Sequence, residues 1–185
     1  MKEKILVICP GRGTYTAAEL GYLKRFKPGL EDLLGEIDQY RVFHNLPSIT
    51  ELDHAPTYST ASHASAENAP SLIYGCAIAD FASLDPEKAE VVGVTGNSMG
   101  WYIALAAAGA LHSENAIHLI NTMGNLTGSS AQGGQLIYPC FDEEWHRDEA
   151  KERLVFEAMS EVNSEEGSQV FPSIFLGGFR VIAGN

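Results

Sequence analysis

Glu90-Val-Val-Gly-Val-Thr95 runs without interruption into Gly96-Asn-Ser-Met-Gly100 and then into an alanine-rich stretch, Trp101 to Ala110. This succession constrains the fold more than any other segment. The apolar run reads as a strand buried on both faces, the setting of a parallel sheet covered by helices. Glycines at both ends of GxSxG let strand turn into helix where no side chain would fit, and the turn lifts Ser98 above the sheet edge. The hydroxyl then lies at the N-terminus of the next helix, whose free N–H groups favour negative charge developing on an attacked carbonyl. Ser98 is therefore the candidate nucleophile, and the Met99 N–H the natural first oxyanion donor. A tight structural turn with a spectator serine is the competing reading of the same five residues.

A second transition of this kind opens the chain. Ile5-Leu-Val-Ile-Cys9 is another apolar run expected to be buried on both faces, and Pro10-Gly-Arg-Gly-Thr-Tyr15 follows it. In a parallel sheet such loops gather at the carboxyl edge, which places Gly11-Arg12-Gly13 beside the Ser98 elbow. A phosphate cradle is disfavoured, because GRGTYT matches neither GxGxxG nor GxxxxGK[ST]. Leu30, Leu33, Leu34 and Ile37 predict a helix over 29–39. Residues 44–68 read as irregular connections with short helices at most, and Pro70 to Leu84 as a buried helix. Ser113 begins a further helix to about Gly128. After Gly133-Gly134 the pattern changes to a strand (135–140), a charged helix (143–162) and two more strands (170–176 and 180–183). The expected organisation is α/β: a large parallel unit over 1–130 and an α+β unit over 131–185.

Charge narrows the function classes. Twelve Lys and Arg against 24 Asp and Glu leave a net charge of −12, unsuited to a nucleic-acid partner. No apolar run approaches the roughly 18 residues of a membrane span, and Ile5–Cys9 is too short for a signal peptide, so a cytoplasmic address is expected. Cys9, Cys76 and Cys140 lack CxxC spacing and suggest neither a disulfide framework nor a metal site. The acidity is uneven: residues 1–41 carry seven bases and six acids, whereas Asp142 to Glu166 holds ten acids and three bases. That run reads as the solvated face of a helix.

Taken together, the motifs resemble those of the malonyl-CoA:acyl-carrier-protein transacylase family. PGRGTYT is similar to that family's PGQGSQ loop, VTGNSMGWYIALAAAGALHSENAIHLINTMG to its GHSLGEYxALxxAGxLSxxDAxxLVxxRG block, and FRVIAGN to the QVVIAG strand of its small domain. The resemblance implies a hydrolase-like parallel sheet core with part of an inserted ferredoxin-like α+β small domain. It also implies a ping-pong acyltransferase, in which serine takes an acyl group from a coenzyme A thioester and passes it to acyl carrier protein. No tightly bound cofactor is implied. Ser98 would be the nucleophile, the Met99 and Arg12 N–H groups the oxyanion hole, and Gly11, Asn97, Trp101 and Met123 would line the substrate site.

The departures from the family pattern are informative. Met123, directly before Gly124, stands where the family has the arginine that holds the malonyl carboxylate, and a thioether cannot make that bidentate bond. An uncharged acyl group is therefore expected, unless Arg12 supplies a substitute charge. Asn97 replaces a histidine, Trp101 a glutamate and Ala69 a glutamine. The family's general-base histidine lies downstream of the small domain, so the resemblance implies that the chain stops before it, with roughly the last third of a family member absent. Of His44, His54, His63, His112, His118 and His146, none matches that base, and His63 is the least implausible substitute. Two alternatives stay open: an acyl hydrolase clearing carrier protein, and a catalytically dead fragment or partner subunit. Lys24, Arg25 and Lys27 form the one basic cluster that could meet an acidic carrier protein, although a solvated helix end explains it as well.

Overall fold

A computed structural model describes residues 2–26, 30–129 and 133–185. The elements run β1 (Glu3–Cys9), α1 (Tyr22–Phe26), α2 (Glu31–Phe43), α3 (Ile49–Asp53), α4 (Thr60–His63), α5 (Ala69–Ala82), β2 (Ala89–Gly96), α6 (Gly100–Ala107), α7 (Ser113–Ser129), β3 (Gly134–Pro139), α8 (Glu149–Val162), β4 (Val170–Leu176) and β5 (Phe179–Gly184). They divide into two compact units, Met1–Ser130 and Ala131–Asn185. Lys27 of the basic cluster falls outside the described residues.

In the first unit β1 and β2 pair in parallel, with Cys9 opposite Gly96 at the carboxyl end. Val7, Cys9 and Val94 pack into a core with Leu72 and Ile73 of α5, Ile103 of α6, and Ala116, Ile117 and Ile120 of α7. Helix α5 is apolar round most of its circumference because it is buried: Ala69 to Gly75 are all inaccessible. Its Gly75 lets α3 approach, since a Cβ there would sit 2.3 Å from Ile49 Cδ1.

The expectation that both strands are buried on both faces is corrected. Leu6, Ile8 and Val92 are 60%, 72% and 56% exposed. The cause is the sheet itself: among the described residues β1 and β2 pair only with each other. Alternate residues of β1 turn toward the helices, and the intervening Leu6 and Ile8 are left exposed among the described residues.

A buried cation ties the helices together. Arg41 of α2 is fully buried. Its guanidinium donates to the carbonyls of Pro47 and Glu67, Ser71 Oγ of α5, Asn68 Oδ1 and Asn121 Oδ1 of α7. No carboxylate is among these five acceptors, so neutral dipoles contact the guanidinium; burial lowers its pKa, and the charges of Glu67 and Asp38 oppose that shift.

The second unit is a β-α-β-β arrangement whose antiparallel sheet has the order β3-β5-β4. Cys140, Val155 and Met159 form its small core, with Tyr138, Val170 and Ile182 against them. The charged helix starts at Glu149, not at Glu143 as its composition suggests. The Asp142 carboxylate accepts the N–H groups of Glu144 and His146, and Phe141 bridges Arg147. Asp148 then caps α8 by accepting from Ala150 and Lys151. The solvated reading of the acidic run is also corrected at one position. Glu152 is buried and ion-pairs with both Arg147 and Arg180, which holds its carboxyl below the usual range, the Arg147 hydrogen bond contributing most. Among the described residues no helix is long and apolar enough to cross a membrane.

Candidate active site

Because Cys9 and Gly96 are in register, the chain leaves β1 and β2 side by side, and glycines decide how closely the two loops meet. A Cβ on Gly100 would lie 2.4 Å from the Cys9 carbonyl oxygen, and one on Gly96 would lie 2.2 Å from the Gly100 oxygen. A Cβ on Gly11 would come within 3.3 Å of the Asn97 oxygen. The loop after β1 and the elbow after β2 are thus interlocked through main chain. Thr14 Oγ1 closes the first loop on the Gly11 carbonyl at 3.1 Å. Tyr15 anchors its far end, donating its buried hydroxyl to Asp53 at 2.7 Å; burial and this bond push the phenol pKa well above its ordinary value.

Ser98 sits at the crest with φ +54°, a left-handed conformation uncommon for a residue other than glycine. It is exposed. The Asn97 carbonyl accepts from Gly100 at 2.8 Å and the Ser98 carbonyl from Trp101 at 3.1 Å, which starts α6 immediately after the serine. Among the described residues the N–H groups of Met99 and Arg12 have no acceptor. The two interlocked loops thus each carry one unengaged main-chain donor. Main-chain donors of this kind can stabilise a tetrahedral adduct on a carbonyl carbon.

The remaining expected site residues separate by position. Gly11 approaches the Asn97 carbonyl where the loops interlock, Arg12 follows Gly11 in the chain, and Met99 and Trp101 follow Ser98 into α6. The Arg12 side chain is exposed and forms no ion pair among the described residues. Trp101, in the first turn of α6, is 59% exposed. Met123 is half-buried on α7; the next residue, Gly124, meets the Ala66 carbonyl and Pro70, which sets this stretch of α7 beside the start of α5.

Among the described residues no side chain hydrogen-bonds the Ser98 hydroxyl. His63 is occupied elsewhere: Nε2 faces the Leu52 carbonyl at 2.9 Å, Nδ1 accepts from Ser59 N at 3.0 Å, and the ring stacks on Tyr58. His118 and His44 bond the Tyr40 hydroxyl and carbonyl, respectively. His54 lies 3.8 Å from Asp53, and His146 lies in the exposed acidic turn with Asp142 and Glu144. The Tyr15–Asp53 anchor and the Arg41 cluster had no signal in the sequence, because their partners are far away along the chain.

The mixed α/β arrangement matches part of the fold of acyltransferase domains. A scan of protein-family models finds no match, and neither does a search of curated proteins. Among solved structures, the acyl transferase domain of ZmaA superposes with a TM-score of 0.70 at 19% identity, over 98% of this chain and 40% of that one. The malonyl-CoA:acyl-carrier-protein transacylase of Streptococcus pneumoniae gives 0.69 at 19% identity, over 98% and 55%. The acyltransferase domain of the polyketide synthase PpsC of Mycobacterium tuberculosis gives 0.67 at 20%, over 99% and 50%. The chain therefore spans about half the length of the solved proteins it matches.

Proposed function

We propose that this chain is the nucleophile-bearing part of a serine acyltransferase that moves an acyl group from a coenzyme A thioester to acyl carrier protein, in fatty-acid or polyketide synthesis. The observation that carries the reading is the exposed Ser98 at φ +54° on an elbow interlocked with the Gly11–Arg12 loop. Ser98 Oγ attacks the thioester carbonyl, its proton passes to a base, and the Met99 and Arg12 N–H groups receive the oxyanion. The C–S bond then breaks and coenzyme A leaves as its thiol, taking the proton from the base. The carrier thiol next attacks the acyl-serine carbonyl, the bond to Ser98 Oγ breaks, and the serine regains a proton as the acyl group passes to the carrier. The resemblance implies a base downstream of the small domain, and among the described residues no histidine hydrogen-bonds the Ser98 hydroxyl. In this reading the first unit is a hydrolase-like core in the cytoplasm. The β-α-β-β unit, with its order β3-β5-β4, is part of a ferredoxin-like domain. Met123 gives no charged hydrogen bond to a carboxylate, so uncharged acyl groups are favoured over malonyl.

Mass spectrometry after incubation with acetyl-, butyryl- and malonyl-CoA, with free imidazole added to serve as the base, tests this. An adduct on Ser98, absent in Ser98→Ala and forming with acetyl or butyryl roughly tenfold faster than with malonyl, is expected. No Ser98 adduct from any thioester would overturn the nucleophile assignment, and equal rates would overturn the specificity. Carrier protein loaded with butyrate then separates transfer between thiols from net release of free acid, the outcome of a hydrolase.

A further inference from the structure

The loop after β1 is not held by packing at its tip. Gly13 lies at φ +102°, and a Cβ on it would meet nothing within 4 Å, so sterics alone do not fix the peptide between Arg12 and Gly13. Hydrogen bonds do. Thr14 Oγ1, on an exposed residue, ties back to the Gly11 carbonyl, and the exit of the loop converges on one buried residue. Asp53, fully buried at the end of α3, accepts the Tyr15 hydroxyl on Oδ1 at 2.7 Å and the Lys24 N–H on Oδ2 at 3.3 Å. Its carbonyl accepts the Gly21 N–H at 2.9 Å. The seat is itself secured. Helix α3 has five residues, too few to persist alone. A capping box of Ser48 and Glu51 holds its start, and the Asp38 carboxylate accepts the Ile49 and Thr50 N–H groups at 2.7 and 3.2 Å. His63 donates from Nε2 to the Leu52 carbonyl and lies parallel to the Tyr15 ring.

We propose that Tyr15 and Asp53 are positioning residues, which aim the Arg12 N–H as an oxyanion donor for Ser98 without touching the substrate. The Arg12 amide stands three residues before Tyr15 and has no acceptor of its own among the described residues, so the ties around it set its direction. The Thr14 tie is exposed and competes with water, whereas the Tyr15 anchor is buried and a phenol bonded to a carboxylate is among the stronger hydrogen bonds. The anchor therefore dominates. A donor aimed beforehand by the fold stabilises developing charge without reorganising during the reaction. The chemical consequence rests on the reading of Ser98 given above; the placement of the loop does not.

The test compares the wild type with three variants. Tyr15→Phe keeps the ring beside His63 and removes only the hydroxyl. Asp53→Asn keeps an acceptor oxygen for that hydroxyl, and Thr14→Val cuts the exposed tie while leaving the anchor. NMR relaxation of the Arg12 and Gly13 amides reads the loop: an order parameter of about 0.85 should fall below about 0.6 in Tyr15→Phe and stay high in the other two. With acetyl-CoA and imidazole, the maximal rate of Ser98 acylation should fall about 10- to 100-fold in Tyr15→Phe at an unchanged half-saturating thioester concentration. Asp53→Asn should retain most of the wild-type rate. Unchanged order parameters in folded Tyr15→Phe would overturn the proposal. So would release of the loop by Thr14→Val alone, a result that stands whether or not Tyr15→Phe folds. Acylation as slow in Asp53→Asn as in Tyr15→Phe, or a raised half-saturating concentration at an unchanged maximal rate, would also overturn it. If the wild type forms no Ser98 adduct, the nucleophile reading fails, and the order parameters still decide the positioning.

Discussion

Replacing Gly96 with alanine would place a methyl carbon 2.2 Å from the Gly100 oxygen and 2.3 Å from its carbonyl carbon. Ordinary contact begins near 3.4 Å, so the two must separate by about 1.2 Å. Gly100 has no room to retreat, because its own Cα faces the Cys9 carbonyl, where an added Cβ would lie at 2.4 Å. The displacement therefore passes to the end of β1 and to the loop holding Arg12. A forced shift of packed main chain costs about 1–3 kcal/mol, and backbone on both sides puts this case near the upper end. A loss of ~3 kcal/mol lowers the folding equilibrium constant roughly 150-fold, read as a drop in the urea midpoint. The rate of Ser98 adduct formation should fall further, by about 100-fold, because a shift near 1 Å misplaces the hydroxyl relative to the proposed oxyanion donors. An unchanged urea midpoint together with an unchanged adduct rate would refute the interlocked elbow.

Gly35, inside α2, offers the opposite case: a Cβ there meets nothing within 4 Å, so Gly35→Ala should raise stability by about 0.5–1 kcal/mol in the same urea titration. Arg41→Met keeps the stem but leaves Asn121, Asn68 and Ser71 without their shared donor, and a loss of about 3 kcal/mol is expected. The Glu152 pKa is lowered in the fold, so its ion pairs contribute fully above the ordinary glutamate range and are lost as pH falls through the lowered value. The fall in melting temperature between neutral pH and pH about 3 should accordingly be smaller in Glu152→Gln than in the wild type; an equal fall would place the acid-sensitive group elsewhere.

What the sequence disclosed was chiefly what neighbouring residues decide among themselves. The elbow was legible because Gly96, Ser98 and Gly100 lie within five residues of one another. The helices around Leu34, Leu72 and Ile117 were legible because burial repeats along one turn of chain. Strand burial misled, since Leu6 and Ile8 look the same whether or not a second layer lies over them. The turn at Asp142–Asp148 was hidden because acidic residues suit a helix surface as well as they suit a carboxylate collecting backbone N–H groups. Arg41 was hidden for another reason. Four of its five acceptors lie 26 to 80 residues away, and an arginine on an amphipathic helix is ordinarily solvated.

The left-handed backbone at Ser98 has a consequence of its own. A serine held at φ +54° is less comfortable there than glycine, by about 1 kcal/mol. Were the hydroxyl idle, the simplest drift at this position would run downhill, toward glycine and a firmer fold. Each generation that keeps the serine keeps a small instability, and a lineage that no longer needed the oxygen would be free to shed it.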